Sequence, residues 1–262
     1  MKPVNDVLIL RVQGGAVEEI LDEVATETHV TLYVNEERVL GFLCSPGDID
    51  ALAVGFARSE GWLKDRAALR EVDFRDEPRE VRLTIEGLPD GWKRSLSEKV
   101  LSSGCGAGAT FGVGRTRTPL SARKDEVTLT PETIRELLKI FRERADLYER
   151  TGGVHSAALC SGGALAFYAE DIGRHNAVDK VIGRAVLEGQ EPGELVLLCS
   201  GRLSSEMVSK AAASDIAFVI SRAAPTCMSV AVAEDRKITL VGFARGGRMN
   251  IYTHPWRIRL EP

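Results

Sequence analysis

The chain has 262 residues, of which 44% are apolar and 27% are charged, so it is long enough for one large domain or two modest ones with packed cores. Its formal charge of −4 at pH 7 argues against a general nucleic-acid-binding protein, because such domains are usually basic. No apolar run approaches the roughly 20 residues of a membrane-spanning helix, and the N-terminus lacks the layout of a signal peptide. We therefore expect a cytoplasmic protein with no nucleic-acid or membrane partner.

The N-terminal part predicts a small α+β unit. A strand-like VLILRV comes first, and HVTLYVNEERVLGFL then predicts a hairpin that turns at Asn35 and Glu36, because apolar residues alternate on both sides. The next segment, SPGDIDALAVGFARSEGWL, predicts a helix capped by Ser45 with Pro46 at its first position. The segment EVDFRDEPREVRLTIEG predicts a further pair of strands.

The second half predicts strands that alternate with helices. A polar stretch from Arg115 to Glu126 has the composition of a linker, and TPETIRELLKIFRERADLYERTGG then predicts one helix from Thr130 to the glycine pair that begins at Gly152. The apolar strands that follow are continuous rather than alternating, which is typical of a sheet covered on both faces. In such sheets, ligands bind near strand ends and helix starts. The chain is therefore predicted to be α/β, and α+β overall.

The five cysteines are far apart, odd in number and without a CxxC pair, which disfavours a disulfide framework. Cys44, Cys160, Cys199 and Cys227 lie in apolar surroundings and are expected to be inert core residues. Cys105 differs, because it lies in LSSGCGAGAT among glycines and alanines that build a core poorly and are typical of a loop. Its thiol is the candidate for chemistry.

Four polar turns in the second half suggest an anion site. The turns are TGGVHSA, EDIGRHNAVDK, CSGRLSSEM and FARGGRMN, and backbone N–H groups at helix starts together with arginine forks favour phosphate. The alternative is a set of ordinary turns, in which His155 is a buried, hydrogen-bonded imidazole and the acids beside His175 cap a helix. The arginines that would surround a polyanionic ligand are Arg174, Arg202, Arg245 and Arg248.

The sequence gives no support to a zinc site. Zinc-dependent base deaminases use an HxE motif and a PCxxC motif. Here His155 is followed by Ser-Ala without the glutamate, and the Pro-Thr-Cys segment that ends at Cys227 is followed by Met-Ser-Val without a second cysteine. No local spacing favours a metal, and we expect none bound by the protein.

Taken together, the segments GCGAG, TGGVHSAAL, AEDIGRHNAVDKVIG, SGRLSSEMVSKAA, SRAAPT and LVGFARGGRMNIYTHPWRI resemble the formate dehydrogenase accessory sulfurtransferase family, FdhD. The resemblance covers most of the chain and is densest from Thr151 to Ile258. It implies a small N-terminal α+β domain, residues 1–118, and a cytidine-deaminase-like three-layer domain with a mixed sheet, residues 119–262. It also implies a homodimer.

The resemblance further implies a sulfur carrier that moves sulfur from a cysteine desulfurase to the molybdenum bis(molybdopterin guanine dinucleotide) cofactor of formate dehydrogenase. Cys105 matches the first cysteine of the family's GCGxCG loop and would carry a persulfide, which makes the protein a sulfurtransferase. The second cysteine position falls on Gly108, which departs from the family pattern. His155, Arg174, His175 and Arg202 are expected as additional ligand contacts. The family's cofactor-binding segment, which would hold the guanine nucleotide moiety, matches Phe243, Ala244, Arg245, Gly246, Gly247 and Arg248.

Two other functions stay open at this point. The chain could bind the molybdenum cofactor and escort it without transferring sulfur, in which case Cys105 is only a small loop residue. It could also be a nucleotide hydrolase or deaminase on the same fold, although the missing metal and glutamate spacing opposes that reading.

Overall fold

The structure is a computed structural model that describes residues 1–92 and 127–260. Cys105, Gly108 and the predicted linker from Arg115 to Glu126 lie outside the described residues. Among those described, no helix has the length and hydropathy needed to cross a membrane. The strands are β1 (Val4–Gln13), β2 (Ala16–Ala25), β3 (Thr28–Val34), β4 (Glu37–Cys44), β5 (Leu69–Arg75), β6 (Glu80–Ile85), β7 (His155–Ser161), β8 (Ala164–Asp171), β9 (Val196–Cys199), β10 (Phe218–Ser221), β11 (Thr239–Arg245) and β12 (Arg248–Ile251). The helices are α1 (Ile49–Ser59), α2 (Pro131–Glu143), α3 (Asp146–Thr151), α4 (Arg174–Leu187), α5 (Ser205–Ala213) and α6 (Cys227–Asp235).

The N-terminal part contains a four-stranded sheet of order β4-β3-β6-β5. The predicted hairpin between β3 and β4 is confirmed, and its turn residues Asn35 and Glu36 have φ of 47° and 66°, as a two-residue primed turn requires. The predicted strand pair β5–β6 is also present. Helix α1 covers this sheet, and Leu52 and Phe56 of α1 share one apolar core with Leu32 and Leu83 of the strands.

The C-terminal part is a three-layer unit around a six-stranded mixed sheet of order β12-β11-β10-β9-β7-β8. Strands β9, β10 and β11 are parallel, whereas β7, β8 and β12 pair antiparallel with their neighbours. Helices α4, α5 and α6 cover one face, and α2 covers the other. The α+β class is therefore confirmed, whereas the likeness to cytidine deaminases stays a prediction.

Helices α1 and α4 join the two parts by packing backbone against backbone. A Cβ on Gly55 of α1 would lie 1.8 Å from the carbonyl oxygen of Asp179, and a Cβ on Gly183 of α4 would lie 1.9 Å from that of Ala51. Only glycine permits this approach. The division into residues 1–118 and 119–262 stays a prediction.

Two buried ion pairs accompany this helix contact. The Lys180 Nζ lies 2.7 Å from the Asp171 carboxylate and donates to the carbonyl oxygen of Ser45 at 3.0 Å. The Lys210 Nζ lies 2.8 Å from the Asp179 carboxylate, which also accepts a 2.7 Å hydrogen bond from the hydroxyl of Ser59. Each network therefore connects the N-terminal part of the chain with the six-stranded unit.

Strands β1 and β2 form a separate two-stranded ribbon, which we call the arm. Its root is held by Arg150, which contacts Glu23, and by the Asn5 amide, which donates to the Thr26 hydroxyl. One face of the arm carries an aliphatic stripe whose side chains are 63–69% exposed. The stripe consists of Leu8, Leu10, Val12, Val17 and Leu21.

Two sequence predictions about helices were wrong. Helix α1 begins at Ile49, after Asp48, rather than at Pro46. The Ser45 hydroxyl is engaged elsewhere, because it accepts a 3.1 Å hydrogen bond from the N–H of Ile172.

The segment from Thr130 to Gly152 is likewise two helices instead of one. Thr130 caps α2 as predicted, but α2 ends at Glu143 and α3 begins at Asp146. The carboxylate of Glu170 accepts hydrogen bonds from the N–H groups of Leu147 and Tyr148, both at 3.0 Å, and thereby satisfies a second helix start.

Candidate functional site

The carboxyl ends of the three parallel strands lie along one edge of the six-stranded sheet, where ligands of open α/β sheets bind. Hydrogen bonds tie the loops that follow these strands together. The Ser221 hydroxyl, at the end of β10, donates to the carbonyl oxygen of Gly201, after β9, at 2.7 Å. The Phe243 N–H of β11 donates to the carbonyl oxygen of Ala223, after β10, at 3.0 Å. The loops therefore form one connected edge.

A cavity of about 230 Å³, which we call the basic pocket, lies between α2 and the turn that joins β11 to β12. Helix α2 is fixed there because Ile134 and Phe141 are buried in the same core as Ala244 of β11. Among the described residues, six cationic residues line the pocket and no acidic residue does. They are Arg135, Lys139, Arg142, Arg222, Arg245 and Arg248.

The β11–β12 turn supplies one wall of the basic pocket. Gly246 and Gly247 have φ of 59° and 77°, so both adopt the left-handed conformation that a two-residue primed turn needs, and Arg245 pairs with Arg248 across it. A bulge lies just before the turn, and Phe243 has a φ of 52° there, which is costly for a non-glycine residue.

Of the six residues predicted for cofactor binding, five line the basic pocket and one does not. The five are Ala244, Arg245, Gly246, Gly247 and Arg248. The aromatic ring of Phe243 instead lies 5.5 Å from the guanidinium of Arg248, so it orients a cationic residue of the lining.

The four predicted additional contacts also come together, at the other end of this edge, and we call them the cationic cluster. His155 begins β7, and its Nδ1 lies 3.4 Å from the Ser200 hydroxyl, which follows β9. Arg174, at the start of α4, passes over Gly201, where a Cβ would lie 3.0 Å from the Arg174 side chain. His175 Nε2 lies 3.1 Å from the carboxylate of Glu206 on α5.

The two histidines of the cationic cluster both have a lowered pKa. Burial is the main cause that lowers the pKa of His155, and the positive charges of Arg174, His175 and Arg202 lower it further. Burial also lowers the pKa of His175, although the nearby Glu206 carboxylate acts in the opposite direction. Both imidazoles therefore favour the neutral form.

Among the described cysteines, Cys44, Cys160 and Cys199 are buried, as predicted. Burial raises the pKa of each of the three thiols to about 12, which makes them inert. The prediction for Cys227 was wrong, because this thiol is exposed at the first residue of α6. Within the described ranges, no group of three or more histidine, cysteine or acidic residues is arranged to hold a metal ion.

Sequence reasoning missed Arg135, Lys139, Arg142 and Arg222 as lining residues. The first three recur at intervals of four and three residues, which places them along one flank of α2. That spacing was a usable signal, but basic residues along a helix are usually a solvated face. These residues line a pocket because the turn near Gly246, about a hundred residues later in the sequence, lies beside α2 in the fold.

The fold and this edge define a two-part α+β protein with a basic pocket beside the carboxyl end of β11. The sequence model of the FdhD/NarQ family matches residues 25–259, so the chain belongs to that family. It is 32% identical over 251 residues to the sulfur carrier protein FdhD of Bacillus subtilis, with 96% of both chains covered. It is 34% identical to the sulfur carrier protein FdhD of Staphylococcus aureus (strain MRSA252), with 95% of this chain and 94% of the relative covered.

A solved structure gives the same result at the level of the fold. The crystal structure of a putative formate dehydrogenase accessory protein from Desulfotalea psychrophila superposes with a TM-score of 0.80 at 25% identity. The match covers 98% of this chain and all of the other. The family resemblance read from the sequence is therefore confirmed.

Proposed function

We propose that this protein accepts sulfur from a cysteine desulfurase on Cys105 and passes it to the molybdenum bis(molybdopterin guanine dinucleotide) cofactor before the cofactor enters formate dehydrogenase. Family membership supports this role, since the relatives from B. subtilis and S. aureus are named sulfur carrier proteins. The solved neighbour is named a formate dehydrogenase accessory protein, which supports the same client.

The basic pocket is the observation that carries the cofactor-binding part of the proposal. The substrate carries a pyrophosphate in each guanine dinucleotide arm, and arginine forks together with N–H groups of a glycine turn bind phosphate well. The cavity of about 230 Å³ is smaller than the roughly 300–1,000 Å³ typical of a pocket that encloses a drug-sized ligand. We therefore assign it to the phosphate-bearing part of one arm, not to the whole cofactor.

The sulfur chemistry is balanced in two steps. The Cys105 thiolate attacks the outer sulfur of the desulfurase persulfide, the bond between the two persulfide sulfurs breaks, and the desulfurase cysteine leaves as a thiolate. In the second step the outer sulfur passes to molybdenum, Cys105 returns to the thiolate, and the metal supplies the two electrons that convert the transferred sulfur to sulfide.

The replacement of the second loop cysteine by Gly108 restricts the chemistry of the proposed persulfide. A CxxC pair would let the second thiol attack the persulfide and form an intramolecular disulfide, and this chain has no thiol at that position. A carrier with one thiol needs no resolving partner. We therefore propose that Cys105 alone is sufficient.

The test is to incubate the protein with a cysteine desulfurase and cysteine, and then to measure its intact mass and map the modified peptide. We expect a gain of one sulfur atom on Cys105 that disappears in the Cys105→Ser variant. Cys227→Ser is the matched control, because Cys227 is exposed and would collect non-specific persulfide. A loaded desulfurase that leaves Cys105 unmodified would refute sulfur transfer.

The basic pocket equally suits an escort that binds the cofactor without transferring sulfur. The Cys105→Ser variant separates the two functions. Under the sulfur-transfer proposal, formate dehydrogenase matured with this variant is inactive although the variant still binds the cofactor. Full activity would instead identify an escort. A metal assay of the purified protein addresses the hydrolase or deaminase alternative.

The homodimer implied by the family resemblance stays a prediction. Size-exclusion chromatography with light scattering measures it directly, because the mass of one chain is 28.5 kDa. A mass of twice that value, independent of concentration over the micromolar range, is the expected result.

A further inference from the structure

The basic pocket has a second wall, on α2, that no binding motif of the sequence includes. Arg135, Lys139 and Arg142 line the cavity from α2, and Arg222 lines it from the loop after β10. We infer that Lys139, Arg142 and Arg222 bind the phosphate groups of the nucleotide arm, so that the pocket selects a nucleoside diphosphate over a monophosphate. This inference rests on the proposed function, which assigns the pocket to a guanine dinucleotide arm.

The first argument is that the α2 wall is held in place. Pro131 occupies the first turn of α2, and the Thr130 hydroxyl accepts a 3.1 Å hydrogen bond from the N–H of Thr133. Ile134, Leu137 and Phe141 are each at most 3% exposed. Because these residues pack against β11, the basic flank of α2 keeps a fixed position relative to the turn, and a phosphate group meets preorganised donors.

The second argument is the lack of compensating charge. Within the described part of the chain, no carboxylate pairs with Lys139, Arg142 or Arg222, whereas Arg135 contacts Glu132 on its own helix. Elsewhere in the described residues, many arginines have acidic partners, as Arg82 has in Glu36 and Glu80. Although the net charge of the protein is −4, several cations of this concave site have no acidic partner among the described residues. Such a field attracts an anion and weakens with added salt.

The third argument concerns the number of charges. The cations reach the cavity from three separate segments, namely α2, the loop after β10 and the β11–β12 turn. One phosphate group, with three free oxygens, engages two or three such donors. The six cations exceed what one phosphate group engages, so a second phosphate group is needed to use the donors of both walls. Their number therefore points to a diphosphate.

The experiment measures the binding of guanosine, GMP and GDP to the full chain by isothermal titration calorimetry at low and high salt. We expect the affinity to rise from guanosine to GMP to GDP, and the GDP affinity to fall steeply with salt. Lys139→Gln and Arg142→Gln are each expected to weaken GDP binding about ten-fold, as for loss of one charge-assisted hydrogen bond, and to weaken GMP binding much less. Arg142→Lys should recover part of the loss, because it keeps the charge without the fork.

The matched control is Arg144→Gln. Arg144 is exposed at the end of the same helix but does not line the cavity, so GDP affinity should be unchanged. Far-UV circular dichroism and the melting temperature show whether each variant folds. If GDP binds and Arg245→Gln weakens it but Lys139→Gln and Arg142→Gln do not, the role of α2 is overturned while the proposed function stands. If neither GDP nor GMP binds the wild-type chain, the assignment of the pocket falls as well.

Discussion

His155 shows how the cationic cluster affects stability at the scale of one residue. Its ring is partly buried beside Ser200, and burial together with Arg174 and Arg202 lowers its pKa from the ordinary value of 6.5. In the unfolded chain this imidazole takes up a proton below about pH 6.5, whereas in the folded protein it does so only at lower pH. The unfolded state then binds more protons, and folding stability falls as the pH falls.

We therefore predict that His155→Gln flattens the pH dependence of the free energy of unfolding between pH 7 and pH 5. Glutamine keeps a polar group near the Ser200 hydroxyl but cannot titrate. The measurement is a set of urea denaturation curves at half-unit pH steps for the wild type and the variant. If the free energy of unfolding changes with pH in the same way for the wild type and the variant, His155 has the same pKa in the folded and unfolded states.

The described cysteines give a second prediction for single residues. A thiol-reactive maleimide at pH 7 should modify Cys227 in the folded protein and leave Cys44, Cys160 and Cys199 unmodified until denaturant is added. The reason is that Cys227 is exposed, whereas burial raises the pKa of the other three thiols to about 12. Peptide mapping by mass spectrometry identifies the labelled residue, and the Cys227→Ser variant is the control.

At the scale of secondary-structure elements, the contact between α1 and α4 depends on two glycines. We predict that Gly55→Ala and Gly183→Ala each destabilise the protein by about 1–3 kcal/mol or more, because the added methyl would overlap a backbone carbonyl of the facing helix. Chemical denaturation measures the effect. The control is Gly153→Ala, where the nearest atom, the Cβ of Ala25, lies at an ordinary 3.4 Å. If Gly55→Ala were as stable as Gly153→Ala, α1 and α4 would be able to move apart at little energetic cost.

The elements also show which parts of the fold the sequence could predict. The turn at Asn35 and Glu36 and the helix start at Thr130 were predictable because their signals are local, within two to four residues. The start of α1 was not, since the Ser45 hydroxyl bonds to Ile172, 127 residues away. The break between α2 and α3 was hidden for the same reason, because it depends on Glu170.

The residues of the candidate site also fall into those with a local sequence signal and those without one. The turn that contains Gly246 and Gly247 carries its own signal, since two adjacent glycines between strands predict a tight hairpin. Lys139 and Arg142 carry no such signal, and they become part of the pocket only when α2 packs on β11. Sequence reasoning therefore found the wall with a local motif and missed the wall that tertiary packing creates.

At the scale of the whole molecule, the two parts of the chain share side chains that a two-domain division would separate. Val186 of α4 is buried in the core of the four-stranded sheet, together with Leu52 of α1. The ion pair between Lys210 and Asp179 is buried as well, and Ser59 of α1 donates to the same carboxylate. Because these contacts cross the boundary, we expect the two parts to unfold together.

The Lys210→Met variant tests whether the two parts unfold cooperatively. It leaves the buried Asp179 carboxylate without its cationic partner, and removal of one member of a buried pair typically costs about 3–5 kcal/mol. We predict that differential scanning calorimetry shows one transition in the wild type and, at a lower temperature, still one in the variant.

The control is Lys64→Met, at an exposed lysine, which should melt as the wild type does. The double variant Lys210→Met/Asp179→Leu should recover part of the lost stability, because it removes the unpaired charge. Two resolved transitions in the wild type would instead show that α1 and α4 join two units that unfold independently.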